Sequence, residues 1–329
     1  MNRDRLTPRQ RSALCWAALL PAVTAETAAL AGRGGLLGAL LAAGVPALLY
    51  RWRPRPGRAA ELAGGLWALA AGGILLRLGA HRLSAAVYPE AAEGLFFWGL
   101  LLCAAVLASG SRRALGRLGA LTAPVLGATL ALVLALAAPM LDPRELWPLR
   151  AGDGAELLPA LGRTLGAAAL GLTLFPPEGE ERPSFPGAAL TGLTAALLSL
   201  AVTGALGAAA ARETGAPLFV LIRNLRPGHL PERLEPLAAG MWVITDLLAL
   251  AAAMQRAGRT LFPGDFGPDG AKSIRGPAVC AAALAAGGLL WGRGFFTAEI
   301  AAEWILPAGS LLAAAAALLP GKGGRQQTA

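Results

Sequence analysis

Apolar runs bounded by charges, glycine or proline recur along the whole chain. They predict ten helical segments, 12–31, 34–50, 60–80, 92–110, 115–139, 155–175, 186–208, 236–258, 275–292 and 299–319. A bilayer core needs about 20 helical residues to cross it, so most of these runs are long enough to span and 34–50 is short. The pattern therefore predicts an all-α integral membrane protein with about ten transmembrane helices. It forms a single transmembrane domain over 1–329, with one five-helix half over about 12–139 and a second over about 155–319. The longest connection, about 209–235, carries the stretch GAPLFVLIRN. That run is too short to cross and is expected to lie as an interfacial helix.

Composition narrows the class. Of the 329 residues 55% are hydrophobic and only 15% charged, against roughly 25% charged in a soluble domain. This excludes an ordinary water-soluble enzyme and leaves no room for a large extramembrane domain. Ala, Leu and Gly dominate, so the helices can pack closely through small side chains.

The net charge of +9 is read as membrane orientation. With the N-terminus taken as cytoplasmic, the inner connections hold 18 Lys and Arg against nine in the outer ones, so both termini are expected inside. The acidic inner loop with Glu178, Glu180 and Glu181 carries little weight in that rule. No basic run is interleaved with aromatics, so a nucleic-acid partner is not expected. The basic start followed by an apolar run also has the form of a secretory signal, with small residues at 22–25 in place of a cleavage site. The span count treats it as the first helix.

Cys15, Cys103 and Cys280 are far apart in apolar stretches, and His81 and His229 are isolated, so neither a disulfide framework nor a metal site is expected. No Ser/His/Asp set, paired catalytic carboxylates or phosphate-cradling loop is recognisable, and no enzymatic activity and no cofactor are expected.

Candidate chemistry falls on the first and sixth segments, which open the two halves. The first carries Pro21 within its apolar run, followed by Ala22, Val23 and Thr24; the sixth carries Gly166 and Gly171 and ends at Pro176 and Pro177. Proline removes a helical donor and glycine tolerates unwinding. Matching interruptions in two halves free backbone groups that a bound solute can satisfy, and this points to a transporter-type site. A kinked helix without a ligand is the competing interpretation. Glu26, Arg77, Arg163 and Asp246 lie within predicted spans, where an unpaired charge costs roughly 2.5–3.5 kcal/mol. Two acids and two bases are expected to pair across a polar vestibule as an outer gate; the alternative is that Arg77 and Arg163 snorkel outwards.

At this point the chain resembles the endospore germination permeases, the B subunits of GerA-type nutrient germinant receptors, within the amino acid-polyamine-organocation superfamily. The similar stretches are LDPRELWPL followed by LLPALGRTLGAAALGLTLFPPEGE, the segment from GAPLFVLIRN through LPERLEPLAAGMWVITDLL, and LTPRQ with YRWRPRPGR. The most specific positions are Pro217, Gly228, Glu232, Arg233, Glu235 and Trp242. The resemblance implies a LeuT-like fold of two inverted five-helix repeats with discontinuous helices 1 and 6, and a ligand held between helices 1, 3, 6 and 8.

Carried over, the unwound stretches fall on about Pro21 to Thr24 and on Leu165 to Gly171. The expected lining is Pro21, Ala22, Val23, Thr24, Leu165, Gly166, Ala167, Ala168 and Gly171, with Thr245 facing from helix 8. The chain departs from the superfamily in offering Pro-Ala-Val-Thr on helix 1 and Ala169 to Gly171 where some relatives carry Gly-x-Glu. Ligand identity is therefore left open. A small amino acid suits such a site, its carboxylate on free N–H groups and its ammonium on carbonyls. The resemblance further implies a nutrient-sensing subunit in the inner membrane of the endospore, partnered by an A-type subunit and a C-type lipoprotein. An amino-acid permease of the same fold and a non-binding membrane scaffold are the alternatives.

Overall fold

The computed structural model describes residues 6–26, 32, 36–41, 57–86, 90–146, 154–176, 185–214, 217–225, 234–263, 265, 275–291 and 301–318, and among these there is helix and no strand. The helices are α1 (Pro8–Glu26), α2 (Arg58–Ala86), α3 (Glu93–Ser109), α4 (Arg112–Ala137, followed by a 3-10 turn Ala138–Met140) and α5 (Pro143–Leu146). The second half holds α6 (Gly154–Leu174), α7 (Phe185–Leu206), α8 (Ala208–Glu213), α9 (Pro217–Asn224), α10 (Glu235–Leu261), α11 (Arg275–Leu290), and a π turn Ala301–Ile305 leading into α12 (Leu306–Leu318). Of the predicted second span, 36–41 is helical and most of the rest lies outside the described residues.

Four of these helices are long and apolar enough to cross a bilayer by themselves, Arg58–Ala85, Arg112–Met140, Pro186–Leu206 and Glu235–Leu261; Glu93–Ser109, Ala160–Leu174, Arg275–Leu290 and Glu303–Ala317 are shorter apolar helices. Within the connection GAPLFVLIRN, Pro217–Asn224 forms α9. Its apolar side buries Leu218, Phe219, Leu221 and Ile222.

The packing partners follow a two-fold plan. α1 packs on α4 as α6 packs on α12, and α2 packs on α11 as α10 packs on α3, while α2 and α10 cross each other at the centre. Lipid supplies no hydrophobic drive between helices, so close approach through small residues has to hold such a bundle together. A Cβ on Gly166 of α6 would come 2.3 Å from Cα of Pro307, one on Gly119 of α4 would come 2.8 Å from Cα of Leu14, and one on Gly309 of α12 would come 2.1 Å from the Trp67 ring. Between α2 and α11 the contact is main chain on main chain, because a Cβ on Gly73 would lie 3.0 Å from the backbone nitrogen of Gly288. Indole hydrogen bonds add direction to these contacts. Trp67 donates to the Ser310 hydroxyl at 3.1 Å and Trp16 to that of Thr194 at 3.1 Å.

The expected interruptions of the first and sixth helices are not present within the described residues. α1 is helical through Pro21 to Thr24 up to Glu26, and α6 is helical through Leu165 to Gly171. Beside the proline two α1 carbonyls take side-chain donors: the Thr24 hydroxyl donates to the Leu20 carbonyl at 2.9 Å, and a guanidinium described below donates to that of Pro21. In α6, Gly166 serves close packing against Pro307, and the Gly171 carbonyl accepts from the Phe175 amide at 2.9 Å, continuing the helical pattern.

Gly309→Ala should lower the apparent melting temperature of the detergent-solubilised chain, since overpacking a fitted contact costs about 1–3 kcal/mol. Gly162→Ala, where a Cβ meets nothing within 4 Å, should leave it unchanged or raise it. Differential scanning fluorimetry of both variants measures this, and equal melting would show that the Trp67 ring does not lodge against Gly309.

Candidate functional site

The polar centre of the bundle is built on Arg82. The apolar pattern places the end of the third span at residue 80, which puts Arg82 in an outer connection. Instead α2 runs on to Ala86, and its 29 residues extend about 43 Å at 1.5 Å per residue. Side chains on a helix lean toward its N-terminus, so an arginine near the end of α2 reaches back toward the middle of the bundle. There it meets α10 and α1. One terminal nitrogen lies 2.7 Å from Oδ1 of Asp246, and the other donates to the Thr24 hydroxyl at 2.7 Å and to the Pro21 carbonyl at 3.3 Å.

The Asp246 side chain is only 2% exposed and that of Arg82 only 11%. Burial in this way removes both charges from water, a cost of several kcal/mol per ion that only close pairing and further hydrogen bonds offset. The backbone makes room for the carboxylate, since a Cβ on Gly79 of α2 would lie 3.0 Å from Oδ2 of Asp246.

Of the four intramembrane charges expected to pair with one another, the three whose side chains are described each meet a different partner. Asp246 pairs with Arg82. Arg77 lies 3.2 Å from Glu93 in the first turn of α3, with His81 at 3.7 Å from the same carboxylate. Arg163 pairs with Glu303 in the π turn and lies over the Trp304 ring at 5.5 Å. Arg77 and Arg163 are therefore ion-paired rather than simply snorkelling. The side chain of Glu26 lies outside the described residues.

Of the expected lining, Pro21, Ala22, Val23, Gly166, Ala167, Ala168, Gly171 and Thr245 are buried, while Thr24 and Leu165 are partly so. The Arg82 guanidinium brings Pro21 and Thr24 to the α10 turn that holds Thr245 and Asp246. The Thr245 hydroxyl itself donates back to the Trp242 carbonyl at 2.8 Å. Gly166 is turned to α12, so it is not joined to the α1 residues through this contact. α1 and α6 do pack on each other.

The opposite end of the bundle, where α1, α2 and α4 begin, is tied by α10 as well. Arg256 donates to the Thr173 carbonyl of α6 at 3.1 Å, and Gln255 caps the end of α3 through the Gly110 carbonyl at 3.0 Å. Cations near the last carbonyls of a helix complement its dipole. Among the described residues no group of three His, Cys, Asp or Glu is placed to hold a metal.

No family model matches the chain, and none of the curated proteins matches it by sequence. Solved structures do match in fold. A Na+-coupled sialic acid symporter in its substrate-bound outward-open state aligns with a TM-score of 0.56 at 11% identity, over 94% of this chain and 76% of that one. Mhp1, a nucleobase-cation-symport-1 family transporter in a closed conformation with bromovinylhydantoin bound, aligns with a TM-score of 0.54 at 16% identity, over 96% of this chain and 78% of that one. The chain thus has a LeuT-like, all-α membrane fold, and the proteins it is similar to are transporters rather than enzymes.

Removing one member of the central pair leaves a buried charge uncompensated, which costs about 3–5 kcal/mol. Arg82→Met and Asp246→Leu are each expected to lower thermal stability. The double variant should lose less than the sum of the two, with a coupling of about 0.5–3 kcal/mol in a double-mutant cycle. Additive losses would show that the two side chains do not depend on each other.

Proposed function

We propose that the protein is a transporter-type membrane protein that binds a small amino-acid-like solute between α1, α2, α6 and α10, and that it serves as the nutrient-sensing subunit of a spore germination receptor. The observation that carries solute binding is the Arg82 cluster. It places a cation, a carboxylate, a hydroxyl and a main-chain carbonyl together at the junction of three helices in an otherwise apolar bundle. A structural role alone would be met more cheaply by apolar side chains of similar volume. If the lining also includes Ala22, Ala167, Ala168 and Gly171, as the sequence suggests, its small residues favour a solute with a small side chain.

In this proposal the lining is Pro21 to Thr24, Leu165 to Ala168, Gly171 and Thr245. Glu26, Arg77, Arg163 and Asp246 with their partners form the intramembrane charges that hold the bundle in one of two states. Sensing requires that the solute favour one state over the other, and driving a switch from 1:99 to 99:1 takes about 5.5 kcal/mol of differential affinity. The germination assignment rests on the stretch from Pro217 to Trp242 and its neighbours. It carries with it the endospore inner membrane, cytoplasmic termini, and A-type and C-type lipoprotein subunits as partners. The single-domain division into 12–139 and 155–319 belongs to the same proposal.

A second function, an active permease for the same solute, is favoured by the fold matches, since both solved structures are named as symporters. The two functions separate experimentally. Calorimetric titration of the full chain in nanodiscs with a panel of amino acids should give saturable binding for at least one, weakened at least about tenfold (~1.4 kcal/mol) by Thr24→Val. Proteoliposomes loaded with no solute should then take up none of the labelled ligand if the chain only senses. Uptake would establish the permease, and absence of binding across the panel would leave neither function standing.

A further inference from the structure

A cavity of about 550 Å³ lies between α2, α3, α9 and α10, and Arg82 and Asp246 are not among its lining residues. Its walls are mainly apolar, among them Leu83, Phe96, Leu100, Phe219, Val243 and Leu247, and Gly99 and Gly240 also line it. A Cβ at either glycine would meet nothing within 4 Å, so the absence of side chains there is what leaves the furrow open. The furrow borders a surface of exposed apolar side chains. Leu95, Trp98, Leu102 and Val106 of α3 are 55–68% exposed.

Its polar rim is specific in charge. Glu235, in the first turn of α10, lines the cavity, and Nε of Arg223 from α9 lies 3.1 Å from its carboxylate. One anion and one cation thus sit side by side at the mouth of an apolar furrow, at the level of the short interfacial helix α9. An apolar lining with a few placed polar groups, in a volume of roughly 300–1,000 Å³, is the form of a small-ligand site.

We propose that this furrow is a binding site for a phospholipid with a primary-ammonium headgroup. One acyl chain lies along Gly99 and Gly240 between α3 and α10. The phosphate takes Arg223 and the ammonium donates to Glu235, one charge of the headgroup to each member of the pair. A trimethylammonium headgroup has no N–H to donate and makes a poorer partner for the carboxylate. Bound there, the lipid joins α9 and α10 to α3 from the membrane side.

Cys103 provides the readout, since it lines the furrow and is exposed while Cys15 and Cys280 are buried. The experiment measures alkylation of the full chain by a membrane-permeant maleimide in nanodiscs of phosphatidylethanolamine, phosphatidylcholine or phosphatidylglycerol. Native mass spectrometry then counts the lipid retained after detergent extraction. Phosphatidylethanolamine should slow Cys103 modification about fivefold relative to phosphatidylcholine, as the one-site factor 1 + [L]/Kd gives when lipid stands at about four times Kd.

Glu235→Gln should remove that difference between headgroups. Gly240→Leu and Gly99→Leu, which fill the furrow, should lose the retained lipid while remaining monodisperse. Equal Cys103 rates in all three lipids overturn the proposal, as does a headgroup preference that survives Glu235→Gln. Retention of phosphatidylglycerol in place of phosphatidylethanolamine would also overturn it, since it would show that Arg223 alone selects an anion. If both glycine variants fail to fold, the Glu235→Gln comparison decides the matter by itself.

Discussion

A single guanidinium buried where three helices cross is the constraint on which the centre of this bundle depends. In a low-dielectric interior an arginine must be given acceptors for its donors, and here they are delivered by two other helices. Arg82 takes Asp246 from α10 and the Thr24 hydroxyl and Pro21 carbonyl from α1. The local features around it answer that demand. Gly79 clears space for the carboxylate on the same helix, and Thr24, by donating to Leu20, presents its lone pairs to the arginine. The carbonyl of Pro21, within α1, serves as one of the acceptors for the arginine.

Away from that point the bundle is held by absence as much as by contact. Gly119, Gly166 and Gly309 each leave a hollow that a neighbour fills with Leu14, Pro307 or Trp67. Such fits substitute for the hydrophobic effect, which has no purchase between two surfaces already bathed in hydrocarbon. Further charged pairs join other elements, with Arg77 and Glu93 linking α2 to α3 and Arg163 and Glu303 linking α6 to the turn before α12. The resulting protein resembles transporters in fold while its polar groups are concentrated on a few residues.

Much of this is legible in the sequence because apolar runs in a membrane protein have few alternative uses. Helices, their order, and the short helix at Pro217–Asn224 follow from the length and flanks of those runs. Asp246 stands out as a lone acid within one. The partners are harder to read. His81 and Arg82, two polar residues in succession, look like the end of a span, and only the continued helix to Ala86 reveals an arginine turned inward. Glu303 lies at the margin of the last predicted span, where nothing local distinguishes a loop carboxylate from one that meets Arg163 across the bundle. Pro21 and Gly166 carry the signature of a break, but the same residue types serve equally well for a side-capped carbonyl and for close packing. Which of these operates depends on residues far away in the chain, Arg82 and Pro307. Gly228, Glu232 and Arg233 of the stretch resembling germination permeases fall outside the described residues, so their roles are not addressed by the fold.

The glycine seam between α2 and α11 has a mechanical consequence. Side chains can exchange rotamers and so let two helices slip past each other, but peptide planes in direct contact have no such freedom. With Gly73 against Gly287 and Gly288, these two helices form a stiff spine, and a displacement along their shared axis would drive backbone into backbone. Rearrangement within the bundle is therefore confined to joints made of breakable polar contacts. The junction of α1 with that spine, through one arginine that can release and regain its acceptors, is such a joint.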